Sequence, residues 1–211
     1  FLGTMLTEKC DAETTGIGPD KLRPSAQQLL FAMILDGCKP MPLAPLAKRF
    51  QVSAMTITRA ADQLCKTDLI KKIGMGSGAQ KMLITEYSPK ELYQKMRPYL
   101  IQPVRKTVYI DKADVHPEMF PAGLFSLSEM SMLNPPAIQT WGTVRFSLEK
   151  GSYAGTLLDT NKQCALQVWK YDPRMISQTK MVDVLSLALS LAEDEDERTQ
   201  QCLEELTERI W

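Results

Sequence analysis

Residues 43–69 read LAPLAKRFQVSAMTITRAADQLCKTDL, and their periodicity predicts two short amphipathic helices joined by a tight turn. The first covers residues 43–50, and Gln51 and Val52 form the turn. Ser53 stands where its side chain can take an otherwise unpaired N–H of the next helix, which is expected to run to Thr67. At about 100° per residue, Ile57, Ala60, Ala61 and Leu64 share one face of that helix. Met55, Arg59, Asp62 and Lys66 lie opposite, with Thr56, Thr58 and Gln63 on the flanks. Leu46, Phe50 and Val52 supply the apolar contacts between the two helices, and Ala47 is the small residue where they pack closest.

On either side of this stretch the pattern continues. Residues 1–22 read as an N-terminal arm, an apolar FLGTML followed by a polar, glycine-containing run. The chain opens on Phe1 rather than methionine, which leaves its start open. Ser25 and Gln28 have capping-box spacing and predict a helix start there. Leu29, Leu30, Met33 and Ile34 are its buried stripe, Gly37 its stop, and Pro40 and Pro42 an extended connection. After the helix pair, residues 70–73 and 81–85 read as strands of a hairpin with Gly74, Gly76 and Gly78 between them. Ser88-Pro89-Lys90-Glu91 then forms a complete helix start, with a cap, a proline at the first helical position and a glutamate at the third. Leu92, Met96 and Leu100 face inward, and the helix ends or kinks near Pro98.

Beyond Pro103 the style changes, and a domain boundary is expected within residues 101–106. Residues 107–110, 141–146, 153–158 and 165–171 read as strands of one sheet. Residues 122–133 read as a helix burying Leu124, Leu127 and Met130, stopped by Pro135-Pro136. Two helices finish the chain: residues 182–191, apolar nearly all round and so buried, and residues 198–210, with Leu203, Leu206 and Ile210 on one face. The expected fold class is α+β. The domains are an arm (1–22), a helix-rich module with a hairpin (23–103) and a small α/β module (104–211).

Charge divides the same way. The 25 Lys and Arg balance the 25 Asp and Glu, yet the balance is not local. Residues 23–106 hold 14 basic against 5 acidic side chains, a net +9; residues 107–211 hold 9 against 16, a net −7; residues 1–22 hold 2 against 4, a net −2. A +9 segment suits a polyanion. The outward residues of the second helix are suited to a DNA groove. Arginine grips guanine O6 and N7 or a phosphate, threonine reaches either, and short side chains allow close approach. The candidate DNA-binding residues are therefore Ser53, Ala54, Met55, Thr56, Thr58, Arg59 and Gln63, with Lys71, Lys72 and Lys81 on the hairpin as phosphate contacts.

Val52-Ser53, Thr56-Ile57-Thr58-Arg59, Gln63-Leu64 and Leu69-Ile70 followed by the hairpin resemble the winged helix-turn-helix of MarR-type regulators over residues 25–85. The resemblance implies a bacterial, cytoplasmic DNA-binding transcriptional regulator, with the helix from Ser53 to Thr67 in the major groove of double-stranded DNA. Gln51 departs from the pattern, standing where glycine is usual, and the long C-terminal dimer helix of MarR proteins is not recognisable. Residues 122–128, AGLFSLS, resemble the helix that opens the second domain of AbiEi-type antitoxins. That likeness implies a second reading, an antitoxin or adaptor whose residues 104–211 bind a protein partner; in the regulator reading the same residues bring dimerisation or a partner.

Other signals reduce to simpler readings. Residues 74–79 fit GxGxxA, but a dinucleotide fold needs a helix next and residues 81–85 read as strand. His116, the single histidine, reads as an exposed loop residue. The five scattered cysteines form no CxxC pair, so no metal, cofactor or disulfide framework is expected. No nucleophile stands in a catalytic setting, and an enzyme is not expected. The acidic run 193–197 reads as a helix N-terminus, and no apolar run reaches the ~18 residues of a membrane span. Arg59 has two simpler partners in Asp62 and Asp36, and Met55 has the option of folding back onto the core.

Overall fold

The computed structural model describes residues 21–74, 81–145 and 153–211. It is an α+β protein with two sheets, and the chain divides into two compact units, one ending at Leu100 and the other beginning at Ile101.

The first unit runs α1 (Pro24–Leu35), β1 (Met41–Pro42), α2 (Leu43–Arg49), α3 (Ala54–Cys65), β2 (Lys71–Gly74), β3 (Lys81–Ile84) and α4 (Pro89–Met96). Its sheet has the order β1-β3-β2, antiparallel throughout. β1 is not visible as a strand in the sequence. Two residues with a proline show no alternation, and only the pairing of Met41 with Leu83 makes them one.

The two helix ends that matter most are built alike. At the end of α1, Cys38 N–H reaches Met33 O and Gly37 N–H reaches Ile34 O; at the end of α2, Val52 N–H reaches Ala47 O and Gln51 N–H reaches Lys48 O. Both are Schellman motifs, which need a left-handed residue just past the helix. Gly37 supplies it at φ 75°, whereas Gln51 is held there at φ 53°. The tight turn before α3 therefore forms without glycine, at roughly 1 kcal/mol of backbone strain.

The start of α1 differs from expectation. The helix begins at Pro24, and its N-cap, Arg23, makes no side-chain cap. Ser25 lies inside the helix, so the Ser25–Gln28 capping box does not form. The Arg23 N–H is taken instead by Gln63 Oε1 at 3.0 Å, from α3. Leu22, assigned to the arm, is buried, and its N–H donates to Tyr99 O. Residues 1–20 of the arm and the Gly76 and Gly78 tip lie outside the described residues. The Ser88–Glu91 capping box on α4 is complete, and Leu92, Met96 and Leu100 are buried.

The second unit runs β4 (Val104–Asp111), β5 (Phe120–Pro121), α5 (Gly123–Met130), β6 (Thr140–Thr143), β7 (Tyr153–Ala154), β8 (Gln163–Trp169), α6 (Arg174–Ser177), α7 (Val184–Ser190) and α8 (Glu197–Glu208). The sheet order is β5-β6-β8-β4-β7, with only β6 and β8 parallel. Val108 and Ile110 face Leu166 and Cys164 across β4 and β8 and form one small core. Trp169, of opposite parity on β8, belongs to the other. There Phe120, Leu127, Leu187, Leu203 and Leu206 close around it. β7 is shorter than residues 153–158, where glycine and polar residues follow Ala154. β5 and α6 were not anticipated, and the apolar 182–191 segment starts later than expected, behind an Asp183 cap.

Candidate nucleic-acid interface

α3 is the best-defined candidate surface. Ser53 Oγ accepts Thr56 N–H at 3.1 Å, which fixes the helix start and contributes about 1 kcal/mol. Ile57, Ala60, Ala61 and Leu64 are buried, so the helix packs on α1, α2 and β2 with the face that its wheel assigns inward. Ser53, Ala54, Met55 and Arg59 are exposed, and Thr56 and Thr58 are half-buried. Met55 does not fold back onto the core; it is 60% exposed.

The charged partners are distributed in an informative way. Asp36 binds Arg49 at 3.1 Å, and Asp62 binds Lys72. Both carboxylates that the sequence offers Arg59 are thereby taken. Among the described residues its guanidinium has no hydrogen-bond or ion-pair partner. Lys72, from β2, neutralises the one acidic group on the outward face of α3 and ties that strand to the helix. Lys71 binds Glu86 at 2.8 Å, at the surface. This hydrogen bond, and then the charge of Glu86, holds the Lys71 ammonium above its usual range. Lys81 is exposed and has no carboxylate partner among the described residues.

Gln63 is turned to other work. Its Oε1 receives the Arg23 N–H and its Nε2 donates to Lys21 O at 3.2 Å, so its amide secures the chain entering α1. It leaves the outward set for that reason. Sequence reasoning also missed Asp62 and Glu86 as partners of the hairpin lysines. Opposite charges at such distances in sequence meet only once the hairpin is folded.

Elsewhere the described residues bring together no group of His, Cys, Asp and Glu able to hold a metal, and no helix is long and apolar enough to cross a membrane. Among the described residues Cys38, Cys65, Cys164 and Cys202 form no disulfide, and burial pushes the Cys38 thiol up to about 11, far from thiolate chemistry. His116 is exposed. Comparison of the chain with known protein families, curated proteins and solved structures gave no match.

Proposed function

We propose that the chain is a DNA-binding transcriptional regulator. Its first unit is a winged helix-turn-helix of MarR-like type. The order helix, strand, two helices and a strand pair agrees with that architecture, β1 included. α3 enters the major groove of double-stranded DNA, and the β2–β3 hairpin lies along the flanking backbone.

The observation that carries the reading is the outward face of α3, where Arg59 is exposed and has no partner among the described residues while Asp36 and Asp62 are each held by another cation. The N–H groups of Ala54 and Met55, at the start of that helix, meet no acceptor among the described residues and suit a phosphate. Lys81 adds an exposed cation with no carboxylate partner among the described residues, and the +9 segment around both draws a polyanion to this unit. The acidic second unit is assigned the remaining task of such a regulator in the bacterial cytoplasm, association with a second copy or a protein partner.

The test is a gel-shift titration over a range of salt concentrations, with wild type and Arg59→Ala, on a selected duplex and a random one. Arg59→Ala is expected to weaken the selected complex by about 1–3 kcal/mol, roughly five- to 150-fold, if it grips a guanine. If affinity and salt dependence are both unchanged, α3 does not dock on DNA.

A further inference from the structure

Resting on the DNA-binding reading, we infer that α3 recognises a thymine methyl group through Met55, one or two base pairs from a guanine held by Arg59. An exposed methionine alone means little, since single apolar side chains are common on protein surfaces. What gives Met55 meaning is the state of its polar neighbours.

Thr58 Oγ1 donates its proton to Ala54 O at 3.0 Å. The hydroxyls of Ser53 and Thr56 bond each other at 2.9 Å. Gln63 is engaged at the start of α1 on both sides of its amide. Asp62 is neutralised by Lys72. Lys66, also exposed, stands past the last helical residue, two turns beyond Arg59; within the helix itself, the outward side chains that make no hydrogen bond among the described residues are Ala54, Met55 and Arg59.

Each matches a different feature of the major groove. The C5-methyl of thymine is the apolar feature that the groove offers, and guanine O6 and N7 form the acceptor pair that a guanidinium takes in two bonds. Met55 and Arg59 are four residues apart on one helix face, a rise of about 6 Å. Successive bases are spaced about 3.4 Å along a strand. The two contacts therefore fall one to two base pairs apart, and the target is a thymine closely followed or preceded by guanine.

The experiment starts with selection of a duplex from a randomised pool by the full chain. The selected duplex is then resynthesised with deoxyuridine replacing thymine at one position at a time, and separately with 7-deazaguanine replacing each guanine. Loss of the methyl at the thymine beside the guanine is expected to weaken binding about fourfold, the worth of one buried methyl. Met55→Ala is expected to bind the thymine and deoxyuridine duplexes alike while keeping its sensitivity to 7-deazaguanine. Met55→Leu should retain the methyl preference, and Arg59→Ala should lose only the 7-deazaguanine effect.

Wild type that binds every deoxyuridine duplex as tightly as its parent overturns the inference and leaves DNA binding standing. So does Met55→Ala with the methyl preference intact. Failure to enrich any duplex overturns the DNA-binding reading itself, and this inference with it.

Discussion

α3 and α7 begin with the same device in opposite surroundings. In each, the residue before the helix uses a side-chain oxygen to accept the N–H three positions on: Ser53 from Thr56 at 3.1 Å, Asp183 from Ser186 at 2.9 Å. Ser53 is exposed; Asp183 is 1% exposed. The surface cap is a neutral hydroxyl, and the helix beyond it carries outward a cation, Arg59, with no partner among the described residues. The interior cap is a carboxylate whose Oδ2 meets no partner, next to a buried bond between Tyr171 OH and Ser186 Oγ at 2.8 Å. Burial raises the Asp183 carboxyl to about 7, although its hydrogen bonds to Ser186 and neighbouring backbone oppose the rise. Among the described residues, the buried side-chain polar atoms without a protein partner, Ser126 Oγ, Gln167 Oε1 and Trp169 Nε1 included, all lie in the second unit. A cap is thus a local motif whose consequence depends on what surrounds it. The first unit keeps polar capacity for a partner outside, whereas the second encloses it, where each unpaired group costs about 1–3 kcal/mol.

Three experiments can break or sharpen this contrast. The three tryptophans, at positions 141, 169 and 211, all lie in the second unit, so tryptophan fluorescence reads its unfolding alone. The largest effect is expected from Asp183→Asn. A folded carboxyl raised from 3.8 to about 7 keeps its proton where the unfolded chain has lost it. Stability from this group therefore falls as pH rises from about 4 to about 7, by on the order of a few kcal/mol, and is level above that. Asparagine caps as well without the charge. Urea unfolding followed by fluorescence should show wild type losing midpoint between pH 5 and pH 8, and Asp183→Asn losing far less. Equal slopes for the two would remove Asp183 as the cause.

Next is Gly142→Ala. Gly142 pairs with Phe120 across β6 and β5, and a Cβ there would stand well inside contact distance of the Phe120 ring. That ring is held by Trp169 at 5.8 Å between centroids and by Arg174 above it at 4.8 Å, so it has little room to yield. The substitution should cost about 1–3 kcal/mol, read as an earlier fluorescence transition. If the first unit binds DNA as proposed, that binding should stay intact; its loss would show that the two units are not independent.

The smallest effect is expected in the first unit. Gln51→Gly should relieve the left-handed strain before α3 and stabilise the unit by about 0.5–1 kcal/mol, less the entropy that glycine adds to the unfolded chain. Slower hydrogen exchange at the buried amides of α2 and α3 is the sign to look for. Faster exchange would mean that the glutamine side chain contributes more than its backbone conformation costs.

Most of the first unit was legible because its signals are local. A cap and its N–H are three residues apart, the Ser88–Glu91 box spans one turn, and the faces of α3 follow from helical spacing alone. Proximity in sequence stood in for proximity in space. The same reasoning misplaced the start of α1, since Gln63 reaches Arg23 from 40 residues away. It missed β1 because a two-residue strand exists only through its partner.

In the second unit fewer elements were bounded correctly. Strands such as β5 and β7 are two residues long and carry no period of their own. The sequence by itself determined the division of charge, the order of helices in the first unit and the inward and outward faces of α3, all set by residue type and short-range geometry. The tertiary structure decided which of those charges are answered. It joined Lys72 to Asp62 and Arg49 to Asp36, leaving Arg59 without a partner among the described residues, and it enclosed Asp183. Pairing and burial depend on chain segments brought together by packing, and no local pattern encodes them.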